Sequence, residues 1–302
     1  MTRVKTDRAT RERSRVALVG CAMFPDLYSD DHPLRDALRE RGVQVDAVRW
    51  DDPGADWAAY DLAVVRQTWD YPHRRDAFVA WAHRVPRLAN PADVLEWNTD
   101  KRYLRELAAA GVPVTPTTFV APGTRWGPPA AGEWVVKPTV SVSSQDTGRY
   151  AMPAQADLAA AHVRRLHDAG RTAMVQPYLA AVDTAGETSV LCTPDPSGNL
   201  AFSHAIRKGP LLTGPDTGRP HDEYAEDITA RDPSPAELAT AEAALAAVPG
   251  GRKRLLYARV DLIPGPDGEP LLAELELTEP SLFFRWAAGA AERMADAILS
   301  RI

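Results

Sequence analysis

Leu255-Leu256-Tyr257-Ala258-Arg259-Val260-Asp261-Leu262-Ile263, the segment PGPDGEP at 264–270, and Leu271-Leu272-Ala273-Glu274-Leu275-Glu276-Leu277-Thr278 decide the reading of this chain. Two alternating runs around a Gly- and Pro-rich connection predict a β-hairpin. Side chains two apart share one face of a strand. Tyr257, Arg259 and Asp261 therefore face one way, and Leu272, Glu274, Glu276 and Thr278 share a face on the partner. A connection of about six residues sets Asp261 opposite Glu274 and Arg259 opposite Glu276. The other face, Ala258, Val260 and Leu262 with Ala273, Leu275 and Leu277, reads as core.

Carboxylates crowded on one face repel unless a cation sits among them. A hard divalent ion with oxygen ligands answers that need, and Mg²⁺ that also holds phosphate oxygens is the usual form. An amphipathic hairpin with a solvated charged face answers it equally well, so the hairpin alone leaves both readings open.

Working outward, Arg15 to Gly20, Val43 to Trp50 and Tyr60 to Val65 are apolar runs, with a helix over Pro33 to Arg41 between the first two. This β-α-β-α-β alternation predicts a doubly wound α/β domain, whose ligands bind beyond the carboxyl ends of the strands. A helix near Asp76 to Arg84 follows, and Asn90-Pro91 marks a boundary. Asn98 or Thr99 is expected to cap a helix that ends at Gly111. Further strands are expected at Val112 to Val120, Trp134 to Pro138, Ala173 to Leu179, Glu187 to Cys192 and Leu200 to Lys208. Thr139 to Arg149 and Gly209 to Pro220 read as loops. Helices are expected over Gln155 to Ala169, Ser234 to Ala247 and Arg285 to Ile302. The division expected is a basic tail over 1–14, an α/β domain over 15–95, and two lobes over 96–175 and 176–302.

A chain of 302 residues with 45% hydrophobic and 25% charged residues is ordinary for a globular enzyme of several lobes. A net charge of -6 favours neither nucleic acid nor an anionic membrane, and no apolar run reaches a membrane-spanning length. Two cysteines, Cys21 and Cys192, make a disulfide framework unlikely to be the stabilising device and fit a reducing cytoplasm. The opening MTRVKTDRATRERSR is basic without an apolar core, so it reads as a disordered tail or an arm for an acidic partner, not a signal peptide. The seven histidines show no metal spacing, and neither Ser/His/Asp nor Cys/His catalysis has support.

Several other residues could carry chemistry. Lys137 ends an apolar strand and precedes Thr139-Val140-Ser141-Val142-Ser143-Ser144-Gln145-Asp146-Thr147-Gly148. Backbone N–H groups and hydroxyls of such a loop can wrap phosphate oxygens, with lysine as a point charge, although the loop is no Walker A sequence. Lys101 is a second candidate. Val175-Gln176-Pro177-Tyr178-Leu179 can offer backbone groups to an adenine edge or form a plain core strand. Glu187, Arg207 and Lys208 lie at strand ends, where they meet phosphates or form a charged rim. Trp69, Asp70 and Tyr71 follow a first-domain strand, a setting for a small polar substrate with an amino group or for a packed loop.

Taken in order, these segments resemble the ATP-grasp superfamily, most closely its glutathione-synthetase/RimK-like branch. The carrying strings are Asp100-Lys101, VVKP at 135–138, VQPYL at 175–179, GETS at 186–189, HAIRK at 204–208, ARVDL at 258–262 and AELELTEPSLF at 273–283. The resemblance spans about residues 90 to 285 and implies an ATP-grasp fold: a doubly wound α/β domain preceding two α+β lobes that clamp ATP. It implies that Lys101 and Lys137 contact ATP, and that the loop with Ser141, Ser143, Ser144 and Thr147 closes over the phosphates. Gln176, Tyr178 and Leu179 would line the adenine pocket, Asp183 would meet the ribose, and Glu187 and Lys208 would border the nucleotide. Arg259 and Arg207 would stabilise the transferred phosphoryl group, and Asp261, Glu274 and Glu276 would hold Mg²⁺, with Mn²⁺ as a substitute. Glu276 stands where the family often has Asn, and the phosphate loop is serine-rich where glycines are common. The implied reaction phosphorylates a carboxylate, and a nitrogen nucleophile then displaces phosphate.

The strings ALVGCAMFPD, RQTWDYPHR and EPSLF also look like those of ligases that close O-ureido-serine to cycloserine, an internal attack that needs one small amino-acid-like substrate. Arg66, Trp69, Asp70 and Tyr71 are then the candidates for its pocket. An intermolecular amide ligase and a non-catalytic ATP-binding protein are the alternatives. A homo-oligomer is compatible with all three.

Overall fold

The computed structural model describes residues 14–217 and 227–302. Most of the basic tail and the end of the 209–220 loop lie outside the described residues.

The first sheet has the order β2-β1-β3-β4, all parallel, from β1 (Arg15–Gly20), β2 (Gln44–Arg49), β3 (Leu62–Val65) and β4 (Leu88–Ala89). Its central strands β1 and β3 are apolar on both faces because both are covered, whereas the edge strand β2 alternates buried valine with polar residues. Val16, Leu18 and Val64 enter one core, and Ala17, Val19, Ala63 and Val65 enter another. Helix α1 (His32–Glu40) covers the first face, while Phe78 and Trp81 of α2 (Arg75–Ala82) cover the second.

Two short helices follow, α3 (Ala92–Asn98) and α4 (Tyr103–Ala109). The first was not expected, and it changes the role of Asn98. This residue ends α3 instead of capping α4, and its amide reaches the C-terminal hairpin, as described below. Neither Asn98 nor Thr99 caps α4, whose N-terminal flank is Arg102 without a side-chain cap bond.

The second sheet is antiparallel, in the order β5-β8-β6-β7, from β5 (Thr118–Val120), β6 (Gly132–Pro138), β7 (Gly148–Met152) and β8 (Ala173–Pro177). Strand β7 takes the end of what the sequence suggests is loop: Gly148 to Met152 pair with Val136 to Gly132. Helix α5 (Ala156–Asp168) closes this core with Ala159, Val163 and Leu166. The single turn α6 (Val182–Ala185) leads to the third sheet.

That sheet has the order β11-β10-β9-β12-β13, from β9 (Glu187–Pro194), β10 (Leu200–Lys208), β11 (Ile228–Ala230), β12 (Ala258–Pro264) and β13 (Pro270–Glu276). One face packs Val190, Cys192, Val260, Leu262 and Leu275 against α7 (Pro235–Ala246). Helix α7 starts with a capping box: Ser234 accepts from the Glu237 N–H, and Glu237 accepts from the Ser234 N–H. The other face sends Leu191 and Ile206 into the core that α8 (Ala290–Leu299) and α1 share with the first sheet. The last helix begins only at Ala290, after a 3₁₀ turn at Phe284–Trp286.

The register of the β12–β13 hairpin follows the two-residue spacing at its open end: Arg259 pairs with Glu276 and Asp261 with Glu274. A bulge then shifts the pairing, so that Leu262 lies opposite Leu272 and Ala273 is the extra residue. The bulge reverses the alternation. Leu272, expected beside Glu274, is instead fully buried in the core with Leu275 and Leu277. Its backbone pairs with Pro113 and Thr115, which ties the hairpin to the chain entering the second sheet.

Candidate active site

The charged face continues an apolar one. Across β10, β9, β12 and β13 one row runs His204, Leu191, Arg259, Glu276, and the next runs Ile206, Ser189, Asp261, Glu274. Beyond them Lys208 stands opposite Glu187. Leu191 and Ile206 lie under the shared core, and the polar residues begin where that cover ends.

These groups neutralise one another in pairs. Arg259 donates from Nε to Asp261 Oδ1 and from Nη2 to Asp261 Oδ2, both at 2.9 Å, and also to Glu276. Lys208 pairs with Glu187 and lies 3.4 Å from Asp261 Oδ2. Lys101 Nζ lies 2.9 Å from Glu274 Oε1 and donates to the Ser141 carbonyl at 2.8 Å. Burial raises the Asp261 pKa, but Arg259 and Lys208 outweigh it and hold the carboxylate well below its usual range. For Glu276 burial wins, with help from Glu274 and Asp261, and its carboxyl is pushed up to about 8 despite Arg259. Removing one member of such a buried pair costs about 3–5 kcal/mol, because the other is left uncompensated.

The second lobe supplies the facing wall. The Lys101 N–H donates to the Thr139 carbonyl at 2.8 Å, which ties Lys101 to the loop after β6. Burial lowers the Lys137 pKa, and Glu274 offsets it only in part. Ser141 and Thr147 are buried in the following loop, with Ser144 half-buried and Ser143 exposed. Ser143, Ser144 and Asp146 adopt positive φ of 49°, 52° and 51°. The two serines are strained there where glycine would be relaxed, by about 1 kcal/mol each, whereas aspartate tolerates this conformation better. Val142 anchors the loop in the core of the first domain.

Other expected residues lie apart from the cluster. Gln176 is buried and donates to Thr117 Oγ1 at 2.8 Å. Tyr178 is covered by Arg149, whose guanidinium carbon is 3.5 Å from the ring centroid, and it donates to Asp183. Leu179 follows, half-buried. These three and Asp183 form the border between the second and third sheets. Arg207 does not join the cluster. Strand alternation turns it to the opposite face from Lys208, where it donates to the Ala185 carbonyl at 2.9 Å and to Asp227 at 3.0 Å.

The substrate-side candidates divide. Arg66 is 1% exposed; it donates to Asp31 at 2.9 Å and to the Pro280 carbonyl at 2.7 Å. Its guanidinium is occupied by protein, so it builds the wall. Asp70 accepts from Trp50 Nε1 at 2.8 Å and from Arg74, turned toward its own domain. Trp69 is half-buried, contacts Phe24 and Tyr28 edge-on, and donates to the Glu279 carbonyl at 3.3 Å. Tyr71 is buried and stacked on Phe78 at 4.9 Å; burial, with the neighbouring Glu279 carboxylate, raises its hydroxyl pKa well above the usual value.

Sequence reasoning missed Glu279, Ser189 and Asn98. Ser189 is two residues beyond Glu187 and could have been found by strand parity. Glu279 follows the end of β13, where parity carries no information. Asn98 donates to the Leu275 carbonyl and accepts from the Leu277 N–H, each at 2.7 Å, and so fixes the strand that carries Glu274 and Glu276.

Asp261, Glu274 and Glu276 are hard oxygen donors, which fits a divalent ion in kind. Among the described residues no three acidic, His or Cys side chains converge as a ready cage, because basic neighbours hold the carboxylates.

Two antiparallel sheets that bring lysines and a carboxylate face together, preceded by a doubly wound domain, define an ATP-grasp ligase. The family model "D-cycloserine synthetase DcsG, N-terminal domain" matches residues 16–90. The cycloserine biosynthesis protein DcsG of Streptomyces lavendulae is 38% identical over 302 residues, 95% of this chain and 98% of that protein. The crystal structure of D-cycloserine synthetase DcsG superposes with a TM-score of 0.81 at 36% identity, over 95% of this chain and 99% of that one. D-alanyl-alanine synthetase A of Vibrio cholerae shares the fold with a TM-score of 0.68 at 14% identity, over 96% and 97%. The chain belongs to the DcsG family of ATP-grasp ligases.

Proposed function

We propose that this protein closes O-ureido-D-serine to D-cycloserine at the expense of ATP. One observation carries the reading: the Arg259/Asp261/Glu274/Glu276 face occurs in a chain 38% identical to DcsG over 95% of its length. In this reading the three lobes are 15–95, 96–175 and 176–302, with ATP between the last two. The γ-phosphoryl group passes to the substrate carboxylate, giving an acyl phosphate and ADP. The nitrogen attached to the side-chain oxygen attacks the acyl carbon, phosphate leaves, and the five-membered ring closes. Water then removes the carbamoyl group as CO₂ and ammonia.

The residues act by positioning and by charge. Lys101 and Lys137 neutralise nucleotide phosphates, and the 139–147 loop covers them. Arg259 stabilises the transferred group. Asp261, Glu274 and Glu276 hold Mg²⁺, which supplies charge neutralisation at the phosphate oxygens when bound. Phosphates and metal exchange with the internal ion pairs, anion for anion and cation for cation, so few charges are left uncompensated. Gln176, Tyr178, Leu179 and Asp183 border the adenosine side. Trp69 and Tyr71 face the amino acid, and Arg66 and Asp70 brace them. No helix among the described residues is long and apolar enough to cross a membrane.

The test is ADP release over a panel of amino acids, with mass analysis of products and an EDTA control. We expect turnover with O-ureido-D-serine, Mg²⁺ and no added amine. Turnover only with pairs of substrates would move the assignment to intermolecular ligation. ATP binding without ADP release from any substrate would leave a binding protein.

A further inference from the structure

Glu187, Asp261, Glu274, Glu276 and Glu279 meet Lys101, Lys137, Lys208 and Arg259 around this site. The ion pairs within 4 Å are Lys208 with Glu187 and Asp261, Arg259 with Asp261 and Glu276, and Lys101 with Glu274. Among the described residues Lys137 and Glu279 form no such pair. They come from different sheets' segments, Lys137 from β6 and Glu279 from the chain after β13. Lys137 precedes the 139–147 loop on the nucleotide side, whereas Glu279 lies against Tyr71 and Trp69. A site that joins a polyanion to an amino acid has use for one spare cation and one spare anion, placed in this way.

We propose that Glu279 receives the ammonium group of the amino-acid substrate, with Tyr71 fixing the orientation of its carboxylate. This rests on the ligase reading above and deepens it. The ammonium nitrogen of an amino acid lies about 2.5 Å from the carboxyl carbon, as the N–Cα and Cα–C bond lengths require. An acceptor for it must therefore adjoin the place where phosphate is transferred. Glu279 meets that requirement: Arg259, which pairs with Glu276, also donates to the Ser281 carbonyl two residues beyond Glu279, and the Glu279 carboxylate is among those that raise the Glu276 pKa. Its backbone is fixed from three sides: Trp69 donates to its carbonyl, Arg66 to the Pro280 carbonyl at 2.7 Å, and Arg259 to the Ser281 carbonyl at 3.3 Å. The Phe283 N–H donates to Asp30 at 2.8 Å, at a residue held with φ of 51°. Tyr71, stacked on Phe78, lies beside the Glu279 carboxylate. Nearby, Phe24 meets Tyr28 and Trp69 edge to face and Tyr28 lies tilted against Trp69, and aromatic faces suit a bound cation. Burial without a paired cation leaves the Glu279 carboxyl at about 7, with Lys101 and Tyr71 restraining the rise. An incoming ammonium would complete its pairing.

The experiment is calorimetric binding to the full-length protein loaded with Mg²⁺ and a non-hydrolysable ATP analogue. The ligands are the amino acid that releases ADP from the wild type in the panel above and its analogue with hydrogen in place of the ammonium. The wild type is expected to prefer the amino acid by about 30-fold or more, the size of a charge-assisted hydrogen bond in a protected site. Glu279→Gln should lose most of that preference while keeping its affinity for the nucleotide analogue. Glu279→Asp should keep part of the preference, and Tyr71→Phe should lose about fivefold in amino-acid affinity. Undiminished preference in Glu279→Gln, or a parallel loss of nucleotide affinity, overturns the proposal; the latter would make Glu279 part of the metal site. Should O-ureido-D-serine release no ADP while another amino acid does, the proposed function fails, and the same comparison with that amino acid still decides the role of Glu279.

Discussion

The charged face of the β12–β13 hairpin and the wall formed by residues 66–71 and 279–283 lie side by side but are built differently. The face comes from two strands joined by a short connection, and its members meet because alternation places them together. The wall comes from segments about 210 positions apart, joined by bonds such as Arg66 to Pro280 and Trp69 to Glu279. In the face, chemistry and geometry share one local cause. In the wall, geometry is supplied by side chains whose own charges are used up, so Arg66 is structural although it sits among the functional residues.

That difference sets the size and kind of the expected effects. Asp261→Asn and Glu274→Gln act on the face and should each reduce turnover about a thousandfold, or about 4 kcal/mol, while circular dichroism at 25 °C stays native-like and the melting temperature falls because a buried cation loses its partner. Full activity in both variants would remove the metal assignment. Asn98→Ala acts on what holds the face in place. It strips partners from the Leu275 carbonyl and the Leu277 N–H and should lower stability to denaturant by about 3 kcal/mol. A loss below about 1 kcal/mol would show that β13 keeps its position without Asn98. Trp69→Leu acts on the wall and should raise the amino-acid KM about tenfold, or 1.4 kcal/mol, with the KM for ATP unchanged. Equal changes in both constants would dissolve the distinction between the two regions.

Legibility in the sequence follows the same division. The hairpin register, the doubly wound domain and the Ser234 cap were readable because each depends on spacing within a few residues. The bulge at Ala273 was not, since alternation cannot show where one residue is inserted, and Leu272 was set on the wrong face as a result. Asn98 looked like a cap because its side chain suits one, yet its partners are 177 and 179 positions away. Arg207 was grouped with Lys208 on charge, although adjacent residues on a strand point apart. Glu279 lay in a quoted string but beyond the last strand, where neither period nor parity applies. Local rules thus found the carboxylates and the arginine that share the hairpin face, and missed the side chains fixed by contacts between distant segments.

The bond between Asp30 and the Phe283 N–H joins positions 253 apart. During synthesis the first sheet can assemble long before its partner segment exists, since chains fold from the end made first. The wall is therefore among the last parts of the molecule to close, after the slow pairing of distant segments that high contact order imposes. A partly made chain can pair the strands of the first sheet and still lack both this wall and the helix α8 that covers one face of that sheet.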